Sequence, residues 1–116
     1  MKTITLSGIE RIKLEGMIGA QRIDNLARVA LLYRLREKIR LTDSERSALN
    51  ARQLPDGREM FDRQSVERLE EKKIELEDAE ADGLAEVFHS WTEWTVEDWL
   101  WAGPLYKKIE ALNGEK

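Results

Sequence analysis

Near the start of the chain, Thr3-Ile4-Thr5-Leu6 alternates polar and apolar residues, the two-residue period of a strand with one buried face. From Ser7 the period changes. Ser7-Gly-Ile-Glu10 has the spacing of a capping box, in which hydroxyl and carboxylate satisfy free backbone N–H groups at a helix start. Ile9, Ile12 and Leu14 then continue at helical spacing to about Ile18, and Gly16 and Gly19 weaken that end. Asp24 is expected to cap the longest helix, DNLARVALLYRLREKIR, with Leu26, Val29, Ala30, Tyr33 and Leu35, plus Leu32 and Ile39, as a wide apolar stripe. A second box, Thr42-Asp-Ser-Glu45, opens a short helix to about Leu49.

In Gln53-Leu-Pro-Asp-Gly57, proline and glycine take turn positions, so residues 51–53 and 58–61 are predicted to form a hairpin. Residues 66–73 are too charged to show a period. Lys73-Ile-Glu-Leu-Glu77 alternates again and is the candidate partner of residues 3–6. Asp78 is expected to cap a helix to about Trp91, and Thr95-Val-Glu-Asp98 is a third, weaker box. Gly103-Pro104 predicts a bend or a fresh start before LYKKIEAL. The pattern predicts an α+β protein: a single domain over residues 1–116, mainly helical, with a small antiparallel sheet or hairpin.

Composition narrows the class of function. A chain of 116 residues can bury one modest core. Its net charge of −4 makes non-specific attraction to nucleic acid or an anionic membrane an unfavourable default. The charge is uneven, however: residues 11–40 hold eight basic and three acidic side chains, and residues 41–116 hold ten and nineteen. A molecule so divided can dock basic face to acidic face, within itself or with a partner. The absence of cysteine excludes disulfides, thiolate catalysis and cysteine-ligated metals, and fits a reducing compartment. No run reaches transmembrane length and the N-terminus shows no signal-peptide core, so the expected setting is cytoplasmic and away from membranes.

Taken in order, ITLSGIERI, the Arg-rich helix ending in REKIRLTDSE, the turn-rich hairpin, KKIELEDAE and the closing LYKKI resemble a group of small phage and prophage proteins of unknown function. The residues carrying the resemblance are Leu35, Arg36, Glu37, Thr42 and Glu45, then Ile74, Leu76 and Glu80, then Leu105, Tyr106, Lys107 and Ile109. The layout spans most of the chain in short motifs of common residues. It departs at Leu14-Glu-Gly-Met, where those proteins tend to carry Leu-Leu-Pro. The resemblance implies a phage setting, hence a host cytoplasm, and no defined activity.

Three patterns could carry chemistry. Pro55-Asp56 followed by Glu71-Lys72-Lys73 fits the PD…(D/E)xK pattern of metal-dependent nucleases, in which two carboxylates hold Mg²⁺ and the lysine steadies the water or phosphate. It is a low-information pattern in so charged a chain, and the turn already accounts for Pro55 and Asp56. Glu86-Val-Phe-His89 places a carboxylate and the single histidine on one helix face, with Glu93 a turn beyond, but a di-metal bundle needs a second such motif. The basic helix 22–40, with Arg28, Arg34, Arg36, Lys38 and Arg40, could follow phosphates, or form a solvated face neutralised by the acidic half. No cofactor or metal is implied.

All four tryptophans fall between Trp91 and Trp101, and their spacing prevents them from sharing one helical face. Trp99 is expected to be the buried anchor, extended by Leu100, Leu105 and Ile109. Trp91 or Trp94 should stay partly exposed, and Trp91, Trp94, Trp101 and Tyr106 are the candidate interface. The reading that follows is a non-catalytic accessory protein that contacts a host or phage protein, or a second copy of itself. The rivals are a small metal-dependent phosphodiesterase using Asp56, Glu71 and Lys73, and a nucleic-acid-binding module using the basic helix.

Overall fold

The computed structural model describes residues 1–49, 52–56, 59–60 and 63–114. Strand β1 (Lys2–Leu6) runs antiparallel to β4 (Lys72–Leu76), with Lys2 opposite Leu76, Ile4 opposite Ile74 and Leu6 opposite Lys72. Both strands alternate as predicted. Ile4, Leu6, Ile74 and Leu76 are buried, while Thr3, Lys73 and Glu75 face solvent. Between the strands lie α1 (Gly8–Gly19), α2 (Leu26–Ile39), α3 (Asp43–Ala48) and α4 (Arg63–Arg68); after them come α5 (Asp78–Ser90) and α6 (Trp99–Gly114). The architecture is α+β and mostly helical.

The predicted boxes at Ser7 and Thr42 form, each with its glutamate returning to the cap N–H at 2.8 Å. Two other caps shift by one residue. Asn25, not Asp24, caps α2, its side-chain oxygen accepting from the N–H groups of Ala27 and Arg28. Glu77, not Asp78, precedes α5, because β4 ends at Leu76 and Glu77 carries the first free N–H; Glu80 accepts from it at 2.9 Å. The charged stretch after residue 62 contributes α4. The predicted hairpin is present as β2 (Arg52–Gln53) paired with β3 (Glu59–Met60), while its outer positions 51, 58 and 61 fall outside the described residues. Helix α6 passes through Pro104 without a fresh start. Proline there cannot donate to the carbonyl of Leu100, one turn back, yet the flanking residues stay helical.

The main core gathers Leu6, Leu14, Leu35, Ile39, Leu76, Leu84, Leu105 and Ile109 from both strands and from α1, α2, α5 and α6. A satellite core of Leu41, Leu49 and Val66 lies under Ile9, Ile12 and Leu69. The broad stripe expected on α2 is only half used: Leu32, Leu35 and Ile39 are buried, whereas Leu26, Val29 and Tyr33 remain exposed. Arg11 is the largest wholly buried side chain. Its guanidinium donates to the carbonyls of Ile39 (2.9 Å) and Arg40 (2.8 Å), at the end of α2, and to both oxygens of Glu45 (2.6 and 2.9 Å). Among the described residues, no helix is long and apolar enough to cross a membrane.

Candidate functional site

Between the last turn of α5 and the first turns of α6 lies a largely apolar cavity of about 440 Å³. Phe88 and His89 form one wall, Trp99, Ala102 and Tyr106 the other, and the 94–98 segment closes the end. The local sequence explains this shape. Thr95 donates its backbone N–H to Asp98 at 2.9 Å, fixing a 3-10 turn at Val96–Asp98 that feeds directly into α6. The other oxygen of Asp98 accepts from the Trp101 indole N–H at 3.3 Å. These bonds, first that from Thr95, hold the Asp98 carboxyl below the ordinary aspartate range.

Trp101 and Trp99 are two residues apart and therefore point to opposite sides of α6. Trp101 turns inward, partly buried against the core, with the Lys13 ammonium 5.7 Å from its ring centre. Trp99 is not the buried anchor expected. It is 66% exposed, and Leu100 is more exposed still. Of the predicted seam, Leu105 and Ile109 are buried but Leu100 is not; Ala102 and Leu112 complete the buried face. What fails is its cover. His89 meets Glu110 at 3.0 Å and stacks edge-on against Tyr106, so the end of α5 reaches only that level, and the first turn of α6 projects beyond it. The Trp99 indole lies back over Gly103 instead. A Cβ at Gly103 would stand 2.8 Å from Trp99 Cε2, so glycine there leaves the ring its seat.

Trp94 is 37% exposed, packs edge-on against Phe88 with ring centres 5.2 Å apart, and lies 5.7 Å from the Trp101 ring. Trp91 is partly buried against the main core. Of the four candidate interface residues, Trp94 and Tyr106 thus line the cavity, Trp101 packs against Trp94, and Trp91 belongs to the edge of the core. Phe88, His89, Val96 and Trp99 complete the lining. The exposed charges flanking these residues in the chain are mainly acidic, Glu93, Glu97 and Glu110 against Lys107.

The rival patterns are not assembled into sites. His89 pairs with Glu110 while Glu86 pairs with Arg28, so the two groups of that motif hold different partners. Asp56 sits in the exposed turn, Glu71 lies 3.6 Å from Lys108, and Lys73 stands opposite Thr5 in the sheet. Among the described residues, no three acidic or histidine side chains form a group able to hold a metal ion. On the basic helix, Arg28 is paired with Glu86, Lys38 with Glu80 at 2.6 Å and Arg40 with Glu37 at 3.4 Å, while Arg36 stacks on Tyr33. Arg34 is exposed. The acidic half thus holds Arg28 and Lys38, whereas Arg40 and Arg36 find their partners within the basic segment itself.

No family model matches the chain, no curated protein matches it, and no solved structure matches it.

Proposed function

We propose that this chain is a phage-type accessory protein that acts in the host cytoplasm by non-catalytic contact with a host or phage protein, which it inhibits or modulates, and that the aromatic groove is its contact surface. The observation that carries this reading is Trp99: a large aromatic side chain seated on a glycine, mostly exposed, at the mouth of an apolar cavity. Exposed aromatic residues grouped around a recess are the usual anchors of protein interfaces, and water bears the cost of leaving them uncovered. The phage setting is supported by the sequence resemblance alone.

The test is affinity capture from a bacterial lysate with the wild-type protein and with Trp94→Ser, Trp99→Ser and Arg34→Glu, each checked for folding by circular dichroism. The wild type and Arg34→Glu are expected to retain the same discrete protein, and both tryptophan variants to lose it. Equal capture by all four would refute the groove as contact surface.

A further inference from the structure

Apart from Met1, every exposed large apolar side chain among the described residues belongs to one of two segments. One is the groove region, with Trp94, Val96, Trp99, Leu100 and Tyr106. The other is the outer face of α2, with Leu26, Val29 and Tyr33. Leu26 is 82% exposed although it opens a helix whose opposite face is core. The spacing 26, 29, 33 places the three side chains in one row along the helix, the arrangement by which a helix fills an apolar groove.

The two surfaces also match in charge. The α2 row is accompanied by Arg22 and Arg34, both exposed, and by Arg36 lying over the Tyr33 ring at 5.3 Å; against these stand Asp24 and Glu37, the latter already paired with Arg40, so the row is basic on balance. Near the groove residues in the chain stand the exposed Glu93, Glu97 and Glu110, against one exposed cation, Lys107. They lie at the same end of the molecule as well. Arg28 pairs with Glu86 and Lys38 with Glu80, so α2 and α5 run antiparallel, and the start of α2 lies alongside the last turn of α5, whose Phe88 and His89 form a groove wall. A row and a groove that share one end can be exchanged reciprocally across a two-fold axis, which closes a pair and leaves no open contact to propagate.

We infer that the occupant of the groove is α2 of a second copy of this chain, in a two-fold dimer where each protomer inserts Leu26, Val29 and Tyr33 into the aromatic groove of the other. This rests on the groove being a docking surface, for which the second copy and the foreign protein would compete. The basic row against the acidic rim orients the two copies and disfavours groove facing groove or row facing row.

Sedimentation velocity across a concentration series tests it on the intact chain. The wild type is expected to dimerise, more weakly as salt is raised. Leu26→Glu, Tyr33→Glu and Trp99→Glu, all at exposed positions, should each weaken the dimer roughly thirtyfold or more, as loss of a central anchor does. The deciding measurement is an equimolar mixture of Leu26→Glu and Trp99→Glu. Each variant alone has no intact row–groove contact, whereas the mixed pair has one, so dimer should reappear on mixing. A wild type that stays monomeric to its solubility limit overturns the inference, as does a dimer indifferent to Leu26→Glu or a mixture that recovers nothing. Should the wild type be monomeric while Trp99-dependent capture of a foreign protein persists, this inference fails and the groove remains a docking surface.

Discussion

Arg11 shows how one side chain can hold together a region with little apolar area. Its guanidinium satisfies two carbonyls at the end of α2, where the helix dipole favours a cation, and fixes Glu45 at the start of α3. That contact holds the Glu45 carboxyl down at about 2, against an ordinary value of 4.5. The folded state therefore favours the ionised form, and the stability this adds is complete above the ordinary value and lost as pH falls towards the depressed one. In thermal melts, Glu45→Gln should be less stable than the wild type at neutral pH, and the gap should narrow on acidification between about pH 4.5 and 2. Arg11→Met, measured by urea unfolding, should cost about 2–4 kcal/mol, since it leaves buried carbonyls and a carboxylate without their donor. A gap that does not change with pH would show that Glu45 contributes no charge-dependent stability. None of this was legible in the sequence. Arg11 reads as a surface cation of α1, and the carbonyls that bury it lie 28 and 29 residues further along.

Helix starts, by contrast, were largely legible, because a capping box is made within four residues. The sequence does not show that each box glutamate works twice. Glu10 also takes Lys108 of α6 at 2.7 Å, Glu45 takes Arg11 of α1, and Glu80 takes Lys38 of α2 at 2.6 Å. Three helix starts are thus tied to three other helices through the residues that begin them. Close approach matters as much. The first turn of α1 meets the end of α4 so tightly that a Cβ at Gly8 would lie 2.9 Å from Leu69 Cδ1 and 3.0 Å from the carbonyl oxygen of Val66. Glycine to alanine in a helix ordinarily stabilises by up to about 1 kcal/mol. Here the backbone carbonyl cannot yield cheaply, so Gly8→Ala should destabilise by about 1–3 kcal/mol in chemical denaturation. A more stable variant would mean that α4 moves freely. The misplaced tryptophan also belongs to this scale. Periodicity put Leu105 and Ile109 on the buried seam of α6 but misplaced Trp99 and Leu100, and how far α5 reaches along that helix is a tertiary fact that no spacing within α6 contains.

Across the whole molecule, the strand pairing and the division of charge were both foreseeable, the first from alternation and the second from counting. Their consequence for binding is that the acidic half already holds two cations of α2, Arg28 and Lys38. Mixed-sequence duplex DNA at physiological salt should therefore show no saturable binding below about 1 μM in anisotropy titrations; a tighter affinity that falls steeply with salt would show that phosphate does compete for that face. The sheet has a further consequence, in the order of events during synthesis. β1 is made before its partner β4, which lies some seventy positions later, and before its cover, α6, which comes later again. At about 5–20 residues per second, Ile4 and Leu6 stay without their native neighbours for seconds. Pairing of this strand has to close a long loop, which makes it one of the slower contacts to form. Until β4 has emerged, the growing chain thus presents an apolar strand without its pairing partner.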